Sequence, residues 1–283
     1  MSRDDSRVPS VSIVTPSYGQ GRFIADALNS VRLQRYSGPI EHVVMDGGST
    51  DGTVEVLERF EGVRWVSEKD EGQSDALNKG FAVATGQIVG WLNADDFYLE
   101  DALQAVVQAF AEHPEADVVY GDCVFVDSVG AAVRSKEEHG FDRTVLTYFG
   151  CYIPTTAAFF RHGLIDRGLL RLEPEFHYVM DYELFMRLAA ADVGFHYVPR
   201  DLAAFRWHDE NKSLDADKRR AERARVQDLN DVWPRSAFGR SIAEWLARGL
   251  HIALKATQGS LGRQRAWRRR VGEDLRWWER GGA

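Results

Sequence analysis

The chain has 283 residues, enough for one large domain or for a domain with an appended tail. It is 44% hydrophobic and 28% charged with a formal net charge of −8, an ordinary globular composition that lacks the global basic footprint of a nucleic-acid binder. The charge is uneven, with 16 Lys and Arg against 9 Asp and Glu from Leu214 to Ala283, so the tail and the acidic remainder are expected to do different work.

Val11–Thr15 is a short β-rich run that stops at Pro16. Phe23, Ile24, Ala27, Leu28 and Val31 then recur at helical spacing. His42–Met45 reads as a second buried strand, ending at Asp46, and the polar turn Asp46–Thr53 leads into a helix begun by Val54, Leu57 and Phe60. Val63–Ser67 is a third strand. Ala76, Leu77, Gly80, Phe81 and Ala84 mark the helix that precedes a fourth strand, Ile88–Leu92. Ala102, Leu103, Val106, Val107 and Phe110 give another helix, and Val118–Tyr120 another strand. Such alternation with short joins predicts a mostly parallel sheet covered by helices on both faces. Ligands of such sheets bind at the carboxyl ends of the strands, and three polar clusters fall there: Pro16–Gln20, Asp46–Asp51 and Asn93–Asp96.

After Gly121 the pattern loosens. Val124–Val133 reads as a hairpin about Asp127–Gly130, Tyr178–Ala190 as a helix, and Phe195–Pro199 as a late strand. From Leu214 the chain changes character. Ile242, Trp245, Leu246, Leu250, Ala253 and Leu254 form an amphipathic helix, and Trp267, Trp277 and Trp278 interleave with basic residues. Two readings stay open for this tail: helices packed on the parent domain or on a second subunit, and contact with an anionic membrane surface. The expected division is 1–213 for the α/β domain and 214–283 for the tail. Cys123 and Cys151 have neither metal-type nor disulfide spacing and read as core fillers in a reducing compartment. With no apolar signal core in MSRDDSRVPS and no run of about 18 apolar residues, a cytoplasmic location is expected, with the inner membrane face open as a peripheral site.

Five constellations carry chemistry. Thr15–Gln20 leaves backbone groups free at a strand end, where they can bond the edge of a base. Asp46-Gly47-Gly48 puts a carboxylate beside glycines that allow a planar ring to approach. Glu68–Gly80 is a polar loop feeding a helix N-terminus, a favourable seat for phosphate, with Asp70 suited to base or ribose. Asn93-Ala94-Asp95-Asp96 crowds carboxylates at the mouth of a buried strand, which is costly unless a cation sits there. Asp95 is the first choice of metal ligand, and capping of the next helix is the alternative. Met180–Leu188 carries Asp181 at a helix start among apolar neighbours, where a raised pKa suits a general base; an ordinary helix cap is the alternative.

These segments in this order, TPSYGQ, DGGSTDGT, EKDEGQSDALNKGFAVATG and LNADD, resemble family 2 of the GT-A-fold glycosyltransferases over roughly Val11 to Ser213. The resemblance implies a GT-A (Rossmann-like) α/β fold, a nucleotide-diphospho-sugar donor, usually a UDP-sugar, and a divalent cation, Mn²⁺ or Mg²⁺. By position it assigns Pro16, Tyr18, Asp46 and Asp70 to the nucleoside pocket. Asp95 matches the second carboxylate of the family's Asp-x-Asp motif, with Asn93 and Ala94 before it; Asn93 stands where the family often has Asp. Asp181 matches the catalytic base, with Met180 replacing the family's Glu. His208 resembles the late histidine that reaches metal or diphosphate, and Arg206, Lys212 and Ser213 are candidate diphosphate partners. The acceptor, a glycan or lipid-linked hydroxyl, is expected against Cys151–Thr156 and the Glu173–Tyr178 loop. The function implied is metal-dependent, inverting hexosyl transfer in surface polysaccharide synthesis. A sugar nucleotidyltransferase and a non-catalytic nucleotide-sugar- or glycan-binding subunit of an assembly complex are the alternatives. No nucleic-acid partner is expected, and homo-oligomerisation stays open.

Overall fold

The computed structural model describes residues 8–208 and 215–281. The first half alternates as expected: β1 Val11–Ser17, α1 Ile24–Arg32, β2 Ile40–Asp46, α2 Thr53–Arg59, β3 Val63–Ser67, α3 Gln73–Val83 and β4 Ile88–Trp91. Strands β1 and β4 are buried along their whole length, whereas β3 alternates between partly buried and exposed positions. That difference puts β1 and β4 inside the sheet and β3 at its edge. The order within this half is β3-β2-β1-β4.

The later elements are β5 Phe97–Tyr98, α4 Ala102–Glu112, β6 Val118–Val126, β7 Ala132–Lys136, α5 Arg143–Tyr148, β8 Ala158–Arg161, α6 Gly163–Asp166, α7 Met180–Ala190 and β9 Phe195–Arg206. The full sheet runs β3-β2-β1-β4-β8-β6-β9-β5, with β7 paired to β6, and pairing is parallel among β1, β2, β3 and β4 but mixed beyond. Strand β6 does not join β4 directly: β8, a late strand, lies antiparallel between them. The hairpin about Asp127–Gly130 forms as β6 and β7, with the Asp127 carboxylate accepting from the N–H groups of Val129 and Ala131.

Two local readings change. A two-residue strand, β5, intervenes between the Asn93–Asp96 turn and the following helix. Strand β9 runs on past Pro199 to Arg206. Its register with β6 steps from Gly121↔Val198 to Asp122↔Asp201, so a bulge takes up Pro199 and Arg200, and the proline costs no ladder hydrogen bond.

The C-terminal helices, α8 Ala216–Leu229, α9 Ala237–Thr257 and α10 Ser260–Trp267, lie on the α/β body. Val226 of α8 is buried in the core that contains α7. Trp267 and Leu275 fill a cluster with Phe97, Val124 and Ala204, against which Trp278 packs. The indole N–H of Trp267 donates to Asp201 at 2.6 Å, and that of Trp277 to the Tyr98 carbonyl at 3.1 Å. Trp267, Trp277 and Trp278, which the sequence interleaves with basic residues, are therefore anchors to the sheet. Cys123 is buried and Cys151 half-buried, and both are free thiols.

Candidate active site

The site begins where β1, β2 and β3 end side by side, with Ser17 beside Asp46 and Asp46 beside Ser67. Asp46 is buried, and its carboxylate is fully engaged. It accepts from the N–H groups of Gly48 (3.2 Å) and Ser49 (2.8 Å) and from the hydroxyls of Ser49 (2.5 Å) and Ser67 (2.6 Å). Four donors occupy about all the acceptor positions of a carboxylate, so Asp46 shapes the loop and its oxygens are spent within the protein. The loop after β1 is stapled to the same turn, because Gly19 N–H donates to the Ser49 hydroxyl, Gln20 N–H to the Thr53 hydroxyl and Gly21 N–H to Asp51. Pro16 is buried in β1, and Tyr18 stands exposed on this loop.

Asp70 lies against Gly47: a Cβ built there would come within 2.9 Å of the Asp70 carboxylate. Only glycine lets the two loops close up at that point. One Asp70 oxygen accepts from Gly72 N–H at 2.9 Å, which fixes the turn into α3. The next two residues reach to either side. Gln73 donates to the Asn93 side-chain oxygen at 2.9 Å, and the Ser74 hydroxyl meets the Met180 sulfur at 3.6 Å. Residues 70–74 thus touch the Asp46 loop, the Asn93–Asp96 turn and the start of the Asp181 helix.

Asn93 is also engaged on every side. Its oxygen accepts from Trp91 Nε1 (2.8 Å) as well as Gln73, and its amide donates to Asp96 at 3.0 Å. The amide supplies a donor to Asp96 that an ionised aspartate at this position would lack. Ala94 packs inward against Ile24, Leu28, Val44 and Leu57. Asp96 is fully buried. Burial and the neighbouring Asp95 push its carboxyl pKa well up, opposed by bonds from the Thr156 hydroxyl (2.7 Å), Arg206 N–H (2.9 Å) and Asn93. Asp96 is the keystone that joins β4, β9 and the turn at Thr155–Ala157, a role that the adjacent Asp95 masked in the sequence.

Asp95 and His208 meet across 113 residues, with 3.0 Å between Oδ2 and Nε2. Register explains it. Phe97 pairs with Ala204 antiparallel, so the turn before β5 and the residues after β9 come to the same rim. Two cis ligands of an octahedral cation at 2.0–2.1 Å stand about 3 Å apart, so this carboxylate–imidazole pair fits Mn²⁺ or Mg²⁺ as far as a two-ligand set can. Arg206 is a different matter. It is buried, with Nη2 on Asp26 (2.6 Å), Nη1 on the Ser128 carbonyl (2.7 Å) and Nε on the Asp95 carbonyl (2.8 Å). Its charge is paired with Asp26 while its Nε holds the Asp95 backbone, so it is no diphosphate ligand. Lys212 and Ser213, expected beside it, lie outside the described residues.

Asp181 is the second residue of α7, and one oxygen accepts from Tyr182 N–H at 2.7 Å. Burial raises its pKa, against the lowering effect of that N–H, the Cys151 thiol and the Lys136 ammonium. The loop before α7 is held from the tail: Glu222 of α8 accepts from the N–H groups of His177 (3.1 Å), Tyr178 (2.7 Å) and Val179 (3.1 Å). Nothing in the local sequence of α7 signals this cap. Two expected acceptor contacts are lost. Tyr152 is buried, its hydroxyl accepting from Asp142 N–H at 2.8 Å, and Thr156 is turned inward to Asp96. Cys151 and exposed His177 keep their places beside Asp181 and on its loop.

Glu138, His139 and His251 form a second group with metal-ligand chemistry. Lys255 lies 3.2 Å from one Glu138 oxygen and Lys136 3.5 Å from the other, so two ammonium groups already answer this carboxylate. The group reads as a polar staple between α9 and the sheet.

A model of glycosyl transferase family 2 matches residues 12–171. A PGL/p-HBAD biosynthesis glycosyltransferase of Mycobacterium tuberculosis is 36% identical over 162 residues, which is 55% of this chain and 60% of that protein. The chain spans about half the length of some curated relatives, 52% in one case. Among solved structures, Staphylococcus aureus TarS 1–349 in complex with UDP-GlcNAc is similar with a TM-score of 0.63 and 18% identity, covering 88% of this chain and 74% of that one. The mannosyltransferase PcManGT from Pyrobaculum calidifontis, in complex with GDP-Man and Mn²⁺, is similar with a TM-score of 0.61 and 20% identity over 94% and 84% of the two chains. At that identity the two structures speak for the fold, a mixed α/β GT-A sheet with flanking helices.

Proposed function

Because this chain belongs to glycosyl transferase family 2, we propose that it is a metal-dependent, inverting hexosyltransferase, moving a sugar from a nucleotide-diphospho-sugar to a hydroxyl of a glycan or lipid-linked acceptor in surface polysaccharide synthesis. A UDP-sugar is the donor of first choice. The observation that carries this reading is the reach of residues 70–74, whose side chains and backbone join the nucleoside loops, the Asn93–Asp96 turn and the Asp181 helix around one helix N-terminus. A diphosphate at that N-terminus meets backbone N–H groups with the favourable end of the helix dipole. The base lies against Gly47 and Gly48, with Asp70 beside them, and Pro16 and Tyr18 close the nucleoside side.

Asp95 and His208 are the residues that would hold Mn²⁺ or Mg²⁺, with phosphate oxygens and water as the remaining ligands. When bound, the cation neutralises charge on the departing nucleotide diphosphate. Asp181 takes the proton of the acceptor hydroxyl as that oxygen bonds to the anomeric carbon, while the bond to the diphosphate oxygen breaks on the opposite face. Its raised pKa improves it as a base at neutral pH.

Asp181→Asn tests the assignment. Turnover is expected to fall by about 10²–10⁴-fold, while thermal shift with UDP-sugar and Mn²⁺ keeps its normal midpoint concentration. Turnover equal to wild type would remove Asp181 from the mechanism.

A further inference from the structure

Helix α9 is inside out. Its side toward the sheet carries Arg240, Glu244, Ala247, His251 and Lys255. Arg240 pairs with Asp228, and Glu244 lies 4.0 Å from Arg223. His251 Nδ1 meets His139 Nε2 at 2.8 Å, and Lys255 meets Glu138 at 3.2 Å. The opposite side is apolar and faces outward. Phe238 is 78% exposed, Trp245 71%, Leu246 58% and Ile252 56%, and a Cβ built on Gly249 meets nothing within 4 Å. These positions recur at helical spacing from Phe238 to Ile252, a ridge of roughly 20 Å. An amphipathic helix ordinarily turns this face to the core. Here the polar staples hold it the other way, and nothing among the described residues covers it.

The charge of the same stretch decides what does. From residue 237 to 270 there are 8 Lys and Arg and a single acidic residue, Glu244. Arg265, Arg268 and Arg269 are exposed and pair with no carboxylate among the described residues. A second copy seated symmetrically on the ridge would bring this basic stretch against itself, since a twofold interface presents the same surface from both sides. An anionic lipid surface complements both features, taking the Trp- and Phe-bearing ridge at its interfacial layer and the arginines at its headgroups. We propose that the outward face of α9 docks on an anionic membrane, with Arg265 of α10 and Arg268 and Arg269 just after it as its electrostatic half. Phe149, which stacks on the inward-facing His251 at 4.4 Å, precedes Cys151 beside Asp181 by two residues, so the inward side of α9 packs on the segment that leads to Asp181.

Sedimentation of the full chain with phosphatidylcholine vesicles, with and without phosphatidylglycerol, tests this apart from any catalytic reading. Binding is expected only to the anionic vesicles and is expected to fall as salt rises. Arg268→Glu with Arg269→Glu should weaken it by on the order of 30-fold or more. Trp245→Ser with Leu246→Ser, both at exposed positions, should abolish it with the melting temperature unchanged. Failure of the wild-type chain to bind, or equal binding by the ridge variant, would overturn the proposal. So would self-association in light scattering that the ridge variant dissolves, because a second copy would then be the occupant.

Discussion

At the scale of single residues, the site separates carboxylates that build from carboxylates that remain open for chemistry. Asp46 and Asp96 are consumed by internal donors, whereas Asp95 faces His208 and Asp181 keeps one oxygen out of its helix cap. If Asp95 and His208 share one cation, each should matter to metal binding more than to the fold. Asp95→Ala and His208→Ala are expected to raise the Mn²⁺ concentration needed for half-maximal thermal stabilisation by about 10-fold or more. Equal midpoints in wild type and both variants would show that the pair binds no metal. Asp95 stands out in the sequence as part of a polar cluster at a strand end, whereas Asp181, at a helix start, and His208 are singled out by the resemblance to the family's motifs. Arg206 was misread, since a cation near a metal motif suggests phosphate, and only the buried cradle of Asp26, Ser128 and Asp95 carbonyl and carboxylate oxygens reveals where its charge goes.

At the scale of elements, the decisive events lie late in the chain. The bulge at Pro199 and Arg200 lets β9 continue to Arg206, and that continuation carries His208 to the rim beside Asp95. A strand halted at Pro199, as the proline suggests locally, would leave the histidine unplaced. Helix α7 likewise depends on a distant partner, since Glu222 holds the three N–H groups that precede it. Glu222 is a positioning residue for Asp181. Glu222→Ala is expected to lower kcat by about 10-fold while leaving the donor midpoint in thermal shift unchanged, and Glu222→Gln, which keeps an acceptor oxygen, should recover part of the rate. Loss of donor binding together with kcat, and no rescue by Gln, would mean a general structural role instead.

At the scale of the whole molecule, the C-terminal region is built into the sheet through acidic residues of β6 and β9. Asp122 takes Arg263, and Asp201 takes the Trp267 indole. Burial pushes both carboxyls up to about 6. A raised carboxyl favours the folded state fully below the ordinary pKa near 4, and that contribution is lost as pH rises through about 6. Asp201→Asn keeps an oxygen for Trp267 and removes the ionisation. The variant should match the wild-type melting temperature near pH 4 and exceed it at pH 8 by about 2–4 °C, the shift that about 1 kcal/mol produces at this chain size. A constant difference across that range would show that Asp201 does not titrate between those limits.

The sequence by itself determined the parallel half of the sheet, the polar clusters at its carboxyl edge and the family, because each is written in contiguous residues: period-two or buried strands, helical spacing, and glycines and carboxylates at strand ends. Only the tertiary structure decided which acids stay available, how β9 passes its proline, where Glu222 reaches, and which way α9 turns. Asp46 is closed off by its own loop and by Ser67, but the rest turns chiefly on partners 44 to 180 positions away. A hydrogen bond or ion pair across that distance leaves no periodicity to read. The tail shows the limit most plainly. Its spacing marks an amphipathic helix, but the direction of the apolar face is settled by His139 and Glu138 on the body it rests against and by Asp228 of the neighbouring α8.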